Sequence, residues 1–271
     1  MNMTLEIAFI GGGNMAQAMG RGLVKAKGSG QSFHIVDRNE DILALWRELG
    51  ASTSLVVSET LSQCKVWILA VKPQGLKEVC AHIKPFLQAD TLVISVAAGI
   101  SMTSLQTWLG HQNIVRTMPN TPALVGMGMT GMFANTTVSA ADVDYAEAIL
   151  RAMGGVVKVS EEALIDSVTA LSGSGPAYIY LFIESLIAGA VKMGLSAEQA
   201  KEMAVATVAG AAKMVETTGE TPAKLRENVS SKGGTTLAAL SVFYERGLPN
   251  IVEEAMAAAA RRAGELSREL A

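Results

Sequence analysis

Along the first half of the chain, short apolar runs alternate with longer stretches whose apolar residues recur at helical spacing. The segments "LEIAFIG" (5–11), "FHIVD" (33–37), "VWILAV" (66–71), "TLVISVAAG" (91–99) and "NIVRTM" (113–118) predict strands. Several are apolar throughout, as strands are when both faces of a parallel sheet are covered. Residues 14–27, 39–49, 73–88 and 101–109 predict helices between them. The order βαβαβαβαβ points to a doubly wound α/β sheet. Two further short strands are expected at 127–134 and 156–159, around a helix at 140–153.

From about Glu161 the pattern changes. The β-branched runs stop and alanine-rich helical segments take over at 161–193, 197–217, 235–246 and 249–269. Gly194 and Ser196 fit a helix end followed by a new N-cap, and Thr221 before Pro222 fits a helix start with proline at its first position. Small residues at Ala188 to Ala190 and Ala209 to Ala212 allow close helix packing. The second half, 161–271, is therefore expected to be all helical, with a domain boundary near 160.

Composition narrows the function classes. Hydrophobic residues make up 49% of the 271 positions and charged residues 17%, so the chain can build real cores. A net charge of −3 without a basic cluster argues against a nucleic-acid partner. The mean hydropathy of +0.31 raises the question of a membrane. The longest apolar candidate, 178–195, is interrupted by Glu184 and Lys192, so no membrane partner is expected. The opening "MNMTLEIAFIGGG" lacks the basic start and long apolar run of a signal peptide. Cys64 and Cys80 make no disulfide framework. A cytoplasmic protein is the expectation.

Two glycine-rich loops carry the chemistry. In "IAFIGGGNMAQAMGRGL", Gly11, Gly13 and Ala16 satisfy G-x-G-x-x-[G/A] directly after a strand and at a helix start. The first glycine makes the turn, the second lets backbone approach a pyrophosphate, and the small third residue packs helix on sheet. An ordinary tight turn is the plain alternative. Against it, Asp37 ends the second strand about 20 residues further on, where an acid recognises a ribose hydroxyl. Arg38 beside it suits a 2′-phosphate or adenine stacking, or is only a solvated loop residue. "AVKPQ" (70–74) and "SVAAG" (95–99) end the next strands and so face the ligand crevice, with Lys72 in reach of a phosphate or simply starting a helix. "RTMPNTP" (116–122) is a rigid loop.

The second loop, "NVSSKGGTTLAAL" (228–240), places Gly233 and Gly234 before Thr235, Thr236 and an apolar helical run. Backbone N–H groups at such a helix start suit an anion. A ligand-free loop capped by Thr235 or Ser231 is the alternative.

These stretches, with "LSGSGPAY" (171–178), resemble pyrroline-5-carboxylate reductase over essentially the whole chain and in the right order. The resemblance implies an N-terminal Rossmann domain at 1–160 that binds NADP, with NAD possible. It implies a helical domain at 161–271 that binds substrate and interlocks in a homodimer or higher homo-oligomer. The activity implied is reduction of a cyclic imino acid, 1-pyrroline-5-carboxylate, to L-proline. Cofactor contacts are carried over to Gly11, Gly12, Gly13, Asn14, Met15, Asp37, Arg38, Ala70, Val71, Lys72, Pro73, Ala97, Ala98 and Asn228. Substrate contacts are carried over to Ser231, Gly233, Gly234, Thr235 and Thr236, with Glu162 nearby. Family members commonly have proline where this chain has Lys232, which leaves the loop less restrained and adds a positive charge.

The chemistry implied needs little from acid–base groups, since a protonated imine is already electron-poor and the enzyme mainly orients it. His34, His82 and His111 all lie in the first half, and no metal-ligand spacing occurs. Thr236 is the candidate catalytic residue, hydrogen-bonding the imine nitrogen. Tyr178 either transfers a proton or packs, with packing the expectation, and Glu162 either balances the iminium charge or sits in a helix's first turn. A β-hydroxyacid dehydrogenase, with Lys224 and Asn228 one turn apart, and a non-catalytic dinucleotide sensor are the competing readings.

Overall fold

The computed structural model describes residues 5–270. The reading of the first residues as lacking a signal peptide rests partly on 1–4, outside the described residues. The first half builds an eight-stranded sheet in the order β3-β2-β1-β4-β5-β6-β7-β8. Strands β1 (Ile7–Ile10), β2 (Phe33–Val36), β3 (Ser52–Ser54), β4 (Val66–Leu69), β5 (Leu92–Ser95) and β6 (Ile114–Met118) are parallel. Strand β7 (Gly128–Ala134) runs antiparallel to β6, and β8 (Gly154–Lys158) parallel to β7. The doubly wound sheet expected from the pattern is thus observed, extended by two reversed strands.

Five helices connect these strands: α1 (Asn14–Lys27), α2 (Glu40–Glu48), α3 (Pro73–Ile83), α4 (Met102–Leu109) and α5 (Ala140–Leu150). Local chemistry sets their ends. Asn39, Ser101 and Ser139 each accept a first-turn N–H of α2, α4 and α5, and Pro73 starts α3. Gly28 at φ 85° closes α1. Alternation along β1 sends Ile7 and Phe9 into a core with Met19, Trp46 and Ile149, and Ala8 and Ile10 into one with Trp67, Leu76 and Leu105. Cys64 and Cys80 are buried free thiols in the second core; burial pushes them up to about 11 and about 12, so both stay protonated and inert.

The strand missed by the pattern is β3, "STS". It is a short polar edge strand with no apolar alternation to reveal it.

The helical half comprises α6 (Leu164–Val168), which runs into a π-helical turn at Thr169–Gly173, then α7 (Gly175–Lys192), α8 (Ala197–Thr218), α9 (Pro222–Asn228), α10 (Thr235–Glu245) and α11 (Leu248–Glu269). The chain separates into two compact units. One runs up to Ser174 and takes in the residues from Ala258 onward; the other is Gly175–Ala257. The change of sequence texture near 160 precedes this break because α6 and the end of α11 pack with the sheet. A Cβ on Gly131 would lie 2.5 Å from Val168, and one on Gly99 3.3 Å from Leu266.

Within the second unit α7 packs on α8, which opens with a reciprocal Ser196–Gln199 cap. Among its described residues only Ala200 and Ala204 are buried. Phe182 and Phe243 meet at 6.3 Å, yet both remain more than a third exposed. By length and composition one helical stretch, Leu164–Lys192, could cross a membrane.

Candidate active site

In the first unit the chain leaves β1 for β2 on one side and returns to β4 on the other. The carboxyl ends of β1 and β4 therefore flank the crevice where doubly wound sheets bind ligands. Gly11 sits there at φ 94°, and a Cβ on it would lie 2.8 Å from the Ala70 carbonyl. Both facts demand glycine. Its N–H bonds the Val36 carbonyl at 2.8 Å, and the Ala70 N–H bonds Ile10 at 2.8 Å.

Gly12 is held from three directions. Its N–H donates to Asp37 Oδ2 at 2.8 Å, and its carbonyl accepts from Trp46 Nε1 at 3.0 Å and Gln17 Nε2 at 3.1 Å. Gly13 differs: a Cβ there would meet nothing within 4 Å, and no side chain caps α1 behind it. Free N–H groups at the first turn of a 14-residue helix, with open space before them, fit a pyrophosphate. Asn14 is exposed, Met15 half-buried, and Ala16 buried against the core.

Asp37 stands at the end of β2, and its other oxygen accepts the Asn39 N–H at 2.9 Å. Its carboxylate thus ties the glycine turn after β1 to the loop after β2. Arg38 is exposed, and the nearby Glu40 is already paired with Arg47. At the end of β4, Ala70 and Val71 are half-buried, Lys72 is exposed, and Pro73 opens α3. At the end of β5, Ala97 is buried and Ala98 exposed. The structure therefore brings Gly11 to Met15, Asp37, Arg38, Ala70 to Pro73, Ala97 and Ala98 to one edge of the sheet.

Glu162 lies in this unit too, and its carboxylate is already engaged. Oε1 accepts from Arg116 Nη1 at 2.5 Å and from the Met102 N–H at 2.7 Å. Sequence reasoning did not name Trp46, and took Arg116 and Asn120 only as parts of the rigid "RTMPNTP" loop. Asn120 donates to Ser172 O at 3.0 Å and accepts from Met129 N at 2.9 Å, which ties down the "RTMPNTP" loop. Its position between two prolines was the signal available.

The second glycine loop belongs to the other unit. Gly233 adopts φ 74°, and Gly234 is the extended N-cap of α10, its N–H bonded to Ser231 O at 2.9 Å. No side chain caps this helix, so its first N–H groups are open, as the anion reading requires. Ser231, Lys232 and Thr235 are exposed and Thr236 is half-buried. A Cβ on Gly234 would lie 2.6 Å from Ser231 Oγ, so this turn is tight. Asn228 is exposed and donates to Glu220 at 3.2 Å.

Two family models match the chain. One described as pyrroline-5-carboxylate reductase dimerisation covers residues 162–266, and one described as NADP oxidoreductase, coenzyme F420-dependent, covers 6–99. The curated pyrroline-5-carboxylate reductase of Pseudomonas aeruginosa is 40% identical, with 98% of each chain covered. A solved pyrroline-5-carboxylate reductase from Coxiella burnetii superposes with a TM-score of 0.93 at 41% identity, covering 97% of this chain and 99% of that one. Pyrroline carboxylate reductase from Plasmodium falciparum, solved with NADP bound, gives a TM-score of 0.86 at 31% identity, covering 98% and 99%. With the glycine crevice in the first unit and the uncapped glycine–threonine turn in the second, the chain belongs to the pyrroline-5-carboxylate reductase family.

Proposed function

We propose that this chain reduces 1-pyrroline-5-carboxylate to L-proline with NADPH, the last step of proline biosynthesis, and accepts NADH as the competitor. The observation that carries the reading is 40% identity to a curated pyrroline-5-carboxylate reductase across 98% of both chains. The open cradle at Gly13 supports it, since its donors and free volume suit a dinucleotide pyrophosphate.

NADPH supplies the hydride when bound. The residues of this chain bind and orient. Gly11 to Met15 take the pyrophosphate, Asp37 and Arg38 the adenosine ribose, and Ala70 to Pro73 with Ala97 and Ala98 line the rest of the crevice; Asn228 is a cofactor contact by family resemblance alone. The N–H groups opening α10 around Gly233 to Thr236, with Ser231, hold the substrate carboxylate. Thr236 hydrogen-bonds the imine nitrogen. Water provides the imine proton, so no histidine is needed in the helical half. Glu162, whose Oε1 is bonded to Arg116 and Met102, balances the iminium charge.

The protein is a homo-oligomer, and we propose an interlocked homodimer as its minimum unit. Ile179, Leu181, Met203 and Val242 of the second unit are all exposed in the single chain, far too much apolar surface to leave in water. A second copy, rather than a bilayer, covers it, and the protein is cytoplasmic.

The test is a spectrophotometric assay with the cyclic imine and each reduced nucleotide in turn. Nucleotide oxidation matched by proline formation is expected. A folded protein that binds nucleotide but leaves the imine untouched would be a sensor, and turnover of a β-hydroxyacid instead would make it a dehydrogenase.

A further inference from the structure

Arg116 is the most deeply buried charged side chain among the described residues, and the binding roles above do not use it. It lies on β6, 5% exposed, beside Ser95 of β5 on one side and Phe133 of β7 on the other. A guanidinium withdrawn from water needs an anion and hydrogen-bond partners. Glu162 is that anion, and the same carboxylate oxygen also accepts the Met102 N–H, the first of α4. Arg116 thus holds a negative charge against the positive end of α4, whose own N-cap Ser101 bonds Ser104 N.

This bond anchors one end of a short segment. Between Ser95 and Met102 run Ala97 and Ala98, which border the crevice. The other end is fixed by Val96 N to Leu69 O at 3.1 Å and by Ala97 N to Ser95 Oγ at 3.4 Å. Gly99, at φ 71°, leaves no room on its side, where Leu266 and Leu270 pack. In a doubly wound sheet the β1–β3 half takes the adenosine portion, and the half that contains β4 and β5 takes the other nucleoside.

We infer that Arg116 is a positioning residue for the nicotinamide end of the cofactor: through Glu162 it fixes α4, and with it the Ala97–Ala98 wall. This rests on the reductase reading. It also gives Glu162 a role other than the substrate contact expected from sequence.

The test compares binding of NADPH with that of 2′-phospho-ADP-ribose, which lacks the nicotinamide, in wild type, Arg116→Met, Arg116→Lys and Glu162→Gln. Arg116→Met is expected to weaken NADPH about tenfold and to lower kcat, while 2′-phospho-ADP-ribose changes less than about twofold. Arg116→Lys restores part of the difference. Glu162→Gln keeps an oxygen for Met102 but loses the charge, and falls between. If Arg116→Met does not fold, the milder Glu162→Gln decides by the same ratio. Equal effects on both ligands, or lost stability with an unchanged ratio, would overturn the inference. A wild-type protein that binds neither ligand would sink the reductase reading itself.

Discussion

Trp46 donates its indole N–H to the carbonyl of Gly12 at 3.0 Å, so a fully buried ring on α2 holds the middle of the glycine turn after β1. The ring also packs 4.8 Å from Phe9, and a Cβ on Gly20 would lie 2.3 Å from it. Trp46→Phe keeps much of the ring packing and removes the donor. It should cost about 1 kcal/mol for the lost bond, beyond a volume effect, and weaken nucleotide binding about fivefold. Chemical denaturation and nucleotide titration measure the two separately. Unchanged nucleotide affinity would confine Trp46 to the core.

Gly11 and Gly13 should fail differently. Gly11→Ala forces a side chain into a left-handed turn and onto the Ala70 carbonyl, so stability should fall by about 1–3 kcal/mol together with nucleotide binding. Gly13→Ala meets no protein atom, so the melting temperature should hold while nucleotide affinity drops about tenfold or more. Normal affinity in Gly13→Ala would place the pyrophosphate elsewhere.

Thr236→Val removes the hydroxyl while keeping the shape. If that hydroxyl bonds the imine nitrogen, kcat/KM for the imine should fall roughly 10- to 150-fold, as expected for about 1.5–3 kcal/mol. Nucleotide affinity should hold. Gly234→Ala is the less clean variant, because its methyl first meets Ser231 Oγ and shifts the turn. Unchanged kcat/KM in a folded Thr236→Val enzyme would leave the loop as a carboxylate cradle only.

Nucleotide choice should rest on Arg38. Arg38→Ala is expected to weaken NADPH about tenfold or more and NADH little, since a charged phosphate pair is lost only with the former. Steady-state KM values for the two nucleotides test this. Equal losses would mean stacking on adenine.

Acid should loosen the N-terminal strand region through Glu6. Burial pushes its carboxyl up, but bonds from Lys27 at 2.7 Å and from Tyr145 outweigh that and hold it below the ordinary 4.5. A carboxyl lowered on folding stabilises fully above its unfolded value and loses that contribution as pH falls through the folded one. The melting temperature should therefore drop as pH goes from about 5 toward 3, and less steeply in Glu6→Gln. Parallel acid profiles for both proteins would remove Glu6 from the acid response.

Period and punctuation made most of this fold legible. The apolar runs of β1, β2, β4, β5 and β6 are set by covered faces, and α1 spans 14–27 as its spacing predicts. The placement of Gly11, Gly13 and Asp37 at one end of the sheet was legible because their motif describes backbone geometry that recurs wherever a strand turns into a helix in this fold. For the second loop, the residues suggest an anion at a helix start, while its assignment to the substrate rests on resemblance, since two glycines before a helix carry no substrate label.

Tertiary packing decided what local spacing does not encode. Glu162, an acid just ahead of a helix, bonds the first N–H of a different helix, α4, because Arg116, 46 positions earlier, is buried on β6 and draws the carboxylate there. Trp46 lies inside the helix that spacing predicts at 39–49, but spacing gives no sign that its N–H meets a glycine carbonyl 34 residues away. Residues up to Ser174 group with the sheet rather than with the later alanine-rich helices, and Val168 of α6 lies directly against Gly131 of β7. Periodicity reports which face of an element is covered; which polar atom meets which partner depends on distances that exist only once the elements have packed.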